Sequence, residues 1–285
     1  MILVSGTKRS GTSMWMQVLA AAGLPVLGQA FPRGWDRTIR EANPEGFFES
    51  ILREGIYYRT NPHPTTGDYF LPEHVDGYAV KVFIPGVIRT ERAYIGHLIA
   101  NVREWREYEA SIGRLYAMEL AHQRERDPEA TAPEYFPPAY EWWMENFALV
   151  RDISLRRYPA RLQAYDQVLD APERVIRETL EWIGRGDVEA AVAAVKPEHR
   201  TQRRPESSAA IDPALARVFD DLYGAVAAGE GFSKALLATL NETNRRLLPQ
   251  LVELQRRVIA SQAARAREGG QQRRPEAIEG LPRER

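Results

Sequence analysis

Short apolar runs alternate with longer segments of helical periodicity over the first two-thirds of the chain. Ile2-Leu-Val-Ser5, Tyr78-Ala-Val-Lys-Val-Phe-Ile84, His97-Leu-Ile-Ala-Asn-Val102 and Ala160-Arg-Leu-Gln-Ala-Tyr165 read as strands. The second is closed by Pro85, and the last is read as the final parallel strand. Between them the apolar spacing predicts helices over 12–23, ending at Gly23, around 49–59, over about 104–124 and around Trp142, Trp143 and Phe147. A further helix starts at Asp170-Ala-Pro-Glu173, with Asp170 as cap and proline in the first turn, and ends near Gly184. Residues 60–77 and 127–139 carry the prolines of loops. Alternating strands and helices predict an α/β domain with a parallel sheet flanked by helices.

The last third has a different pattern. Residues 196–210 are polar and basic and read as a linker, placing the α/β domain at 1–210. Asp212-Pro213 caps a new helix, and a helical extension runs to about 267. Within it Leu240, Asn244, Leu247, Leu251, Leu254 and Val258 recur in steps of four and three, a heptad seam. The seam serves either packing on its own chain or a homodimer through this helix. Pro249 is expected to kink or restart the helix. Residues 268–285, rich in Gly, Gln, Arg, Pro and Glu, read as a disordered tail.

Composition narrows the classes. With 44% hydrophobic residues, a chain of 285 residues can bury a sizeable core. A net charge of −1 gives no global electrostatic case for nucleic acid or an anionic membrane. There is no cysteine, so disulfides, thiolate metal sites and cysteine nucleophiles are excluded. No apolar run reaches membrane-spanning length, and the first residues carry no signal-peptide pattern, so a cytoplasmic protein is expected.

Chemistry concentrates in Ser5-Gly-Thr-Lys-Arg-Ser-Gly-Thr-Ser13, a turn between the first strand and helix. Gly6 and Gly11 have the spacing of the nucleotide-binding rule G-x-x-x-x-G-K-[ST]. Thr12 stands where that rule has lysine, and the cations come earlier, at Lys8 and Arg9. Backbone N–H groups and a helix N-terminus still favour an anion there. The ATP-specific lysine is missing.

Arg9-Ser-Gly-Thr-Ser13 resembles the 5′-phosphosulfate loop of the sulfotransferases, which use 3′-phosphoadenosine 5′-phosphosulfate (PAPS). Arg103 with Ser111 has the separation of that family's 3′-phosphate pair, and Tyr165-Asp-Gln-Val-Leu-Asp-Ala-Pro-Glu173 is similar to its segment bordering the adenine. The resemblance covers residues 1–205 and implies a P-loop-like sulfotransferase fold. It implies that Lys8, Arg9, Ser10, Gly11, Thr12 and Ser13 hold the 5′-phosphosulfate, that Arg103, Ser111 and Tyr165 fix the rest of the donor, and that no metal takes part. Arg203, with Arg200 and Arg204, falls where family members close a basic loop over the 3′-phosphate; a solvated linker is the other reading.

Lys81-Val-Phe-Ile-Pro85 is similar to the family's Lys-Thr-His-Leu-Pro, which implies Lys81 near the sulfuryl group, but Phe83 replaces the catalytic histidine. A base is still needed to take the proton of an acceptor hydroxyl. Asn43-Pro-Glu-Gly-Phe-Phe-Glu49 resembles a motif of bacterial sulfotransferase-like proteins, and Glu49 is the expected base, with His63, Glu54 and His97 as further candidates. The acceptor, a small molecule, carbohydrate or lipid bearing a hydroxyl or amine, is not legible. Aromatics from Tyr135 to Phe147 either line its pocket or form core. Two other classes remain open: a P-loop kinase using ATP and magnesium, and a non-catalytic nucleotide-binding or interaction protein.

Overall fold

The computed structural model describes residues 1–32, 44–195, 211–269 and Leu281. The described residues divide into two compact units. One holds 1–103, 148–195 and Leu281; the other holds 104–147 and 211–269.

The first unit is an α/β layer structure. Strands β1 (Ile2–Gly6), β2 (Val26–Leu27), β3 (Ala79–Lys81), β4 (His97–Val102) and β5 (Ala160–Ala164) form one five-stranded sheet in the order β2-β3-β1-β4-β5. Every pairing is parallel. A parallel sheet is covered on both faces, which is why β1 is an unbroken buried run. Alternate residues supply the two faces. Leu3, Val80, Leu98 and Ala100 join Val82, Ile84, Val87 and Leu149 in one cluster. Ile2, Val4, Ala79 and Ile99 join Trp15, Met16, Leu19, Ile176 and Leu180 in the other.

The helices of this unit are α1 (Thr12–Ala21), α2 (Ile84–Arg89), the C-terminal part of α4 (Pro138–Arg156), α5 (Tyr165–Asp170), α6 (Pro172–Ile183) and α7 (Val188–Ala193). Register puts Gly6 beside Asn101 and Asn101 beside Gln163, so the C-terminal ends of β1, β4 and β5 stand level. Ligands of open α/β sheets bind at such strand ends.

Several local expectations change. The helix expected over 49–59 is only a 3-10 turn, Ile51–Glu54, capped by the Ser50 hydroxyl. Gly55 ends it with φ of 108°, and a Cβ there would sit 2.5 Å from the Gly86 carbonyl oxygen. The second expected strand stops at Lys81, because Ile84 and Pro85 open the first turn of α2 instead. Asp170 closes α5 rather than capping α6, whose N-cap is Ala171. The two-residue β2 and the short α7 were not expected.

The second unit contains α3 (Trp105–Arg126), the N-terminal part of α4, α8 (Pro213–Ala228) and α9 (Lys234–Gly269). Its core is aromatic. Phe219 of α8 lies 5.7 Å from the ring of Trp105, 5.5 Å from Trp142 and 5.2 Å from Trp143. Trp142 and Trp143 are fully buried, so they are core rather than pocket lining. α9 packs along α8 and runs unbroken through Pro249. Leu240, Leu247, Leu251 and Val258 of the heptad seam are buried. These four positions pack within the chain, one of the two readings of the seam, while Asn244 and Leu254 are half-buried. Among the described residues no helix is long and apolar enough to cross a membrane.

Candidate functional site

The turn between β1 and α1 is shaped by its glycines and held from β4. Gly6 has φ of 150°, and a Cβ there would lie 2.3 Å from Ser10 Oγ and 2.4 Å from the Asn101 carbonyl oxygen. Gly11 has φ of 90°, and a Cβ there would lie 2.6 Å from the Tyr165 ring. Only glycine fits either position without displacement. Arg9 itself is left-handed, with φ of 64°.

The carbonyls of this turn are turned toward protein donors. Thr7 O accepts from Ser10 N at 3.2 Å and from Ser10 Oγ at 2.7 Å. Arg9 O accepts from Arg103 Nη1 at 2.9 Å, and Ser10 O accepts from Asn101 Nδ2 at 3.1 Å. Asn101 is fixed in turn by Trp15 Nε1, which donates to its Oδ1 at 2.9 Å. With the carbonyls so engaged, the first-turn N–H groups of α1 face the open end of the turn. Gly11, the N-cap, has no side chain to cap them. The Thr7 hydroxyl is buried at the base of the turn and has no hydrogen-bond partner among the described residues.

Beside this turn lies an ionic cluster. Lys81, at the end of β3, is buried, and its ammonium donates to Ser13 Oγ at 3.2 Å, to the Phe47 carbonyl at 3.0 Å and to Glu49 Oε1 at 3.0 Å. The Ser13 hydroxyl also donates to the Phe47 carbonyl, at 3.2 Å. Arg53 Nη1 takes the other carboxylate oxygen, Glu49 Oε2, at 3.1 Å. Burial lowers the Lys81 pKa from the usual lysine value; Glu49 opposes this, while the charges of Arg9 and Arg53 add to it.

The strand-like segment carrying Glu49 pairs antiparallel with Gln29, each residue donating its N–H to the other's carbonyl at 3.0 Å. Phe48 is left-handed, with φ of 54°. Such a conformation costs a bulky residue about 1–3 kcal/mol. The strained turn aims the Phe47 carbonyl and the Glu49 carboxylate at the same ammonium.

The residues singled out from sequence distribute as follows. Arg9, Ser10, Gly11, Thr12 and Ser13 form the turn and the start of α1; Lys8 is exposed on it. Arg103 is buried and stacks over the Tyr165 ring, 4.9 Å from its centroid. Ser111 is buried on α3, in the other unit. Arg200, Arg203 and Arg204 lie outside the described residues, as does Asn43.

The alternative bases are placed elsewhere. His63 is buried, and its Nδ1 accepts the N–H groups of Thr65 and Thr66 at 3.2 and 3.1 Å, which makes it a loop-forming residue. His97 pairs with Ile2 at the opposite end of the sheet and packs on Trp182; burial lowers its pKa. Glu54 is exposed and faces Arg53 and Arg89, each at 3.6 Å. Sequence reasoning missed Asn101 and Arg53. Asn101, a polar residue inside an apolar strand, was a signal for the first; Arg53, four residues after Glu49 at helical spacing, was a signal for the second.

Compared with known proteins, the chain matches no protein-family model and no curated protein.

Proposed function

We propose that this protein is a PAPS-dependent sulfotransferase, built on a P-loop-like α/β fold with a C-terminal helical extension. One observation carries the reading. A buried lysine and a carboxylate meet at the first turn of α1, where Lys81 bonds both Ser13 and Glu49. A loop whose carbonyls are taken by protein donors, followed by a helix N-terminus without a side-chain cap, suits the oxygens of a phosphosulfate. The adjacent lysine comes from β3 rather than from the position after Gly11, which fits sulfuryl transfer better than ATP chemistry.

In the proposed reaction the acceptor oxygen attacks sulfur. The bond from sulfur to the bridging oxygen breaks, and its electron pair stays on adenosine 3′,5′-bisphosphate. Arg9 and Lys81 neutralise the charge growing on that oxygen, a stabilisation aimed at the transition state. Glu49 receives the hydroxyl proton, with Arg53 holding its second oxygen. Arg103 and Tyr165, both of the first unit, are proposed for the adenosine 3′-phosphate end of the donor. The chain's groups suffice for this chemistry without a metal. The acceptor is a hydroxyl or amine compound of unspecified class.

Displacement of a fluorescent adenosine 3′,5′-bisphosphate probe in metal-free buffer tests the proposal. PAPS should displace the probe, and ATP with magnesium should not. Displacement by ATP with magnesium alone would replace this reading with a kinase.

A further inference from the structure

Glu49 is an odd neighbour for an anion site. Its carboxylate sits one hydrogen bond from Lys81, and Lys81 sits one hydrogen bond from Ser13 in the first turn of α1. An acceptor-only group thus stands two hydrogen bonds from the first turn of α1, the end at which the donor's outer group is proposed to bind. Burial keeps the pair out of bulk solvent, with Lys81 4% and Glu49 6% exposed, so the carboxylate's field is poorly screened.

From this we propose that Glu49 determines specificity, rejecting a donor that ends in phosphate and accepting one that ends in sulfate. This deepens the sulfotransferase reading and rests on it. A terminal phosphate and a terminal sulfate have nearly the same shape and the same three oxygens. They differ in charge, because the phosphate is mostly dianionic at neutral pH, with a second pKa of about 6, whereas the sulfate carries one negative charge. Shape therefore cannot separate them, and charge can. The groups that bear on the outer end are Lys81 from β3, Arg53 from the 3-10 turn, Arg9 from the glycine turn and Glu49 itself. Three cations alone would favour the more highly charged ligand. The buried carboxylate offsets one of them and repels each added negative charge. At roughly 6 Å and an effective dielectric constant near 20, that repulsion amounts to at least tenfold in affinity per unit charge.

The test compares PAPS with its isosteric analogue, adenosine 3′-phosphate 5′-diphosphate, by metal-free calorimetry on the full chain. The wild type should bind PAPS at least tenfold more tightly at a pH where the terminal phosphate is dianionic. Glu49→Gln should tighten the diphosphate at least tenfold more than it tightens PAPS. Lowering the pH below the second phosphate pKa should narrow the wild-type preference in the same direction, a reading that needs no variant. A Glu49→Gln ratio equal to that of the wild type, or a wild-type ratio near one, would overturn the charge-filter role while leaving the donor assignment intact. Failure of the wild type to bind either nucleotide would overturn both.

Discussion

The Glu49 carboxylate is shared by two cations: Lys81 reaches one oxygen at 3.0 Å and Arg53 the other at 3.1 Å. Lys81 belongs to the sheet and Arg53 to the 3-10 turn that follows Glu49, so the carboxylate joins the end of β3 to that turn. In the proposed reaction this clamp fixes the orientation of the Glu49 carboxylate before an acceptor arrives, which lowers the cost of reaching the reactive geometry.

Removing the base should separate binding from turnover. Glu49→Gln is expected to keep adenosine 3′,5′-bisphosphate binding while lowering sulfuryl transfer by about 10²–10⁴-fold, the usual contribution of a positioned base. Single-turnover assays with labelled PAPS, alongside the dissociation constant, measure both. Unchanged transfer would move the base elsewhere.

Lys81 makes a pH-dependent contribution whose sign is fixed by its environment. Its pKa lies below the ordinary lysine value of 10.5, chiefly through burial. In the window between the two values the unfolded chain holds more protons than the folded one, so stability should rise with pH there. Donor affinity should fall across the same window as the ammonium is lost. Denaturation midpoints and donor affinities of wild type and Lys81→Met, followed from neutral pH upward, check both slopes; the variant should show neither contribution.

Gly11→Ala should disrupt the turn. The left-handed φ and a Cβ 2.6 Å from the Tyr165 ring predict a loss of about 1–3 kcal/mol in stability, with loss of donor binding. Adding Tyr165→Ala should recover part of the stability by clearing the ring. Gly113→Ala is the control. Its Cβ meets open space on α3, so it should stabilise by up to about 1 kcal/mol. Urea midpoints of the four chains, wild type included, test the pattern.

Arg103 should resist even conservative exchange. Its guanidinium bonds the Arg9 carbonyl while stacking on Tyr165, and an ammonium cannot do both in the same plane. Arg103→Ala is expected to abolish donor binding, and Arg103→Lys to restore only a minor part of it. Equal affinity of Arg103→Lys and wild type would reduce the residue to a point charge.

Much of the first unit was legible because local chemistry and long-range packing agree there. The runs at Ile2 and His97 are the central strands, which a parallel sheet covered on both faces requires to be continuously apolar, whereas β5 at the edge is half-buried and keeps Arg161 and Gln163. The turn from Gly6 to Gly11 announced itself through residues that only a left-handed or crowded backbone explains. The lost helix after Glu49 depended on something no window contains, the approach of the Gly86 carbonyl to Gly55. Asn101 and Arg53 were missed for a similar reason. Their partners, the Ser10 carbonyl and a carboxylate already assigned to another role, become visible only when strands and turns are brought side by side. Of the two outcomes expected at Pro249 the restart does not occur: α9, packed along α8, continues through the proline.

The most direct test is a calorimetric titration of the wild-type chain with PAPS in the presence of a chelator. The account predicts one-to-one, metal-independent binding that is lost in Arg103→Ala and weakened in Lys81→Met. No heat of binding from the folded wild-type chain, or binding that appears only with added magnesium, would contradict it.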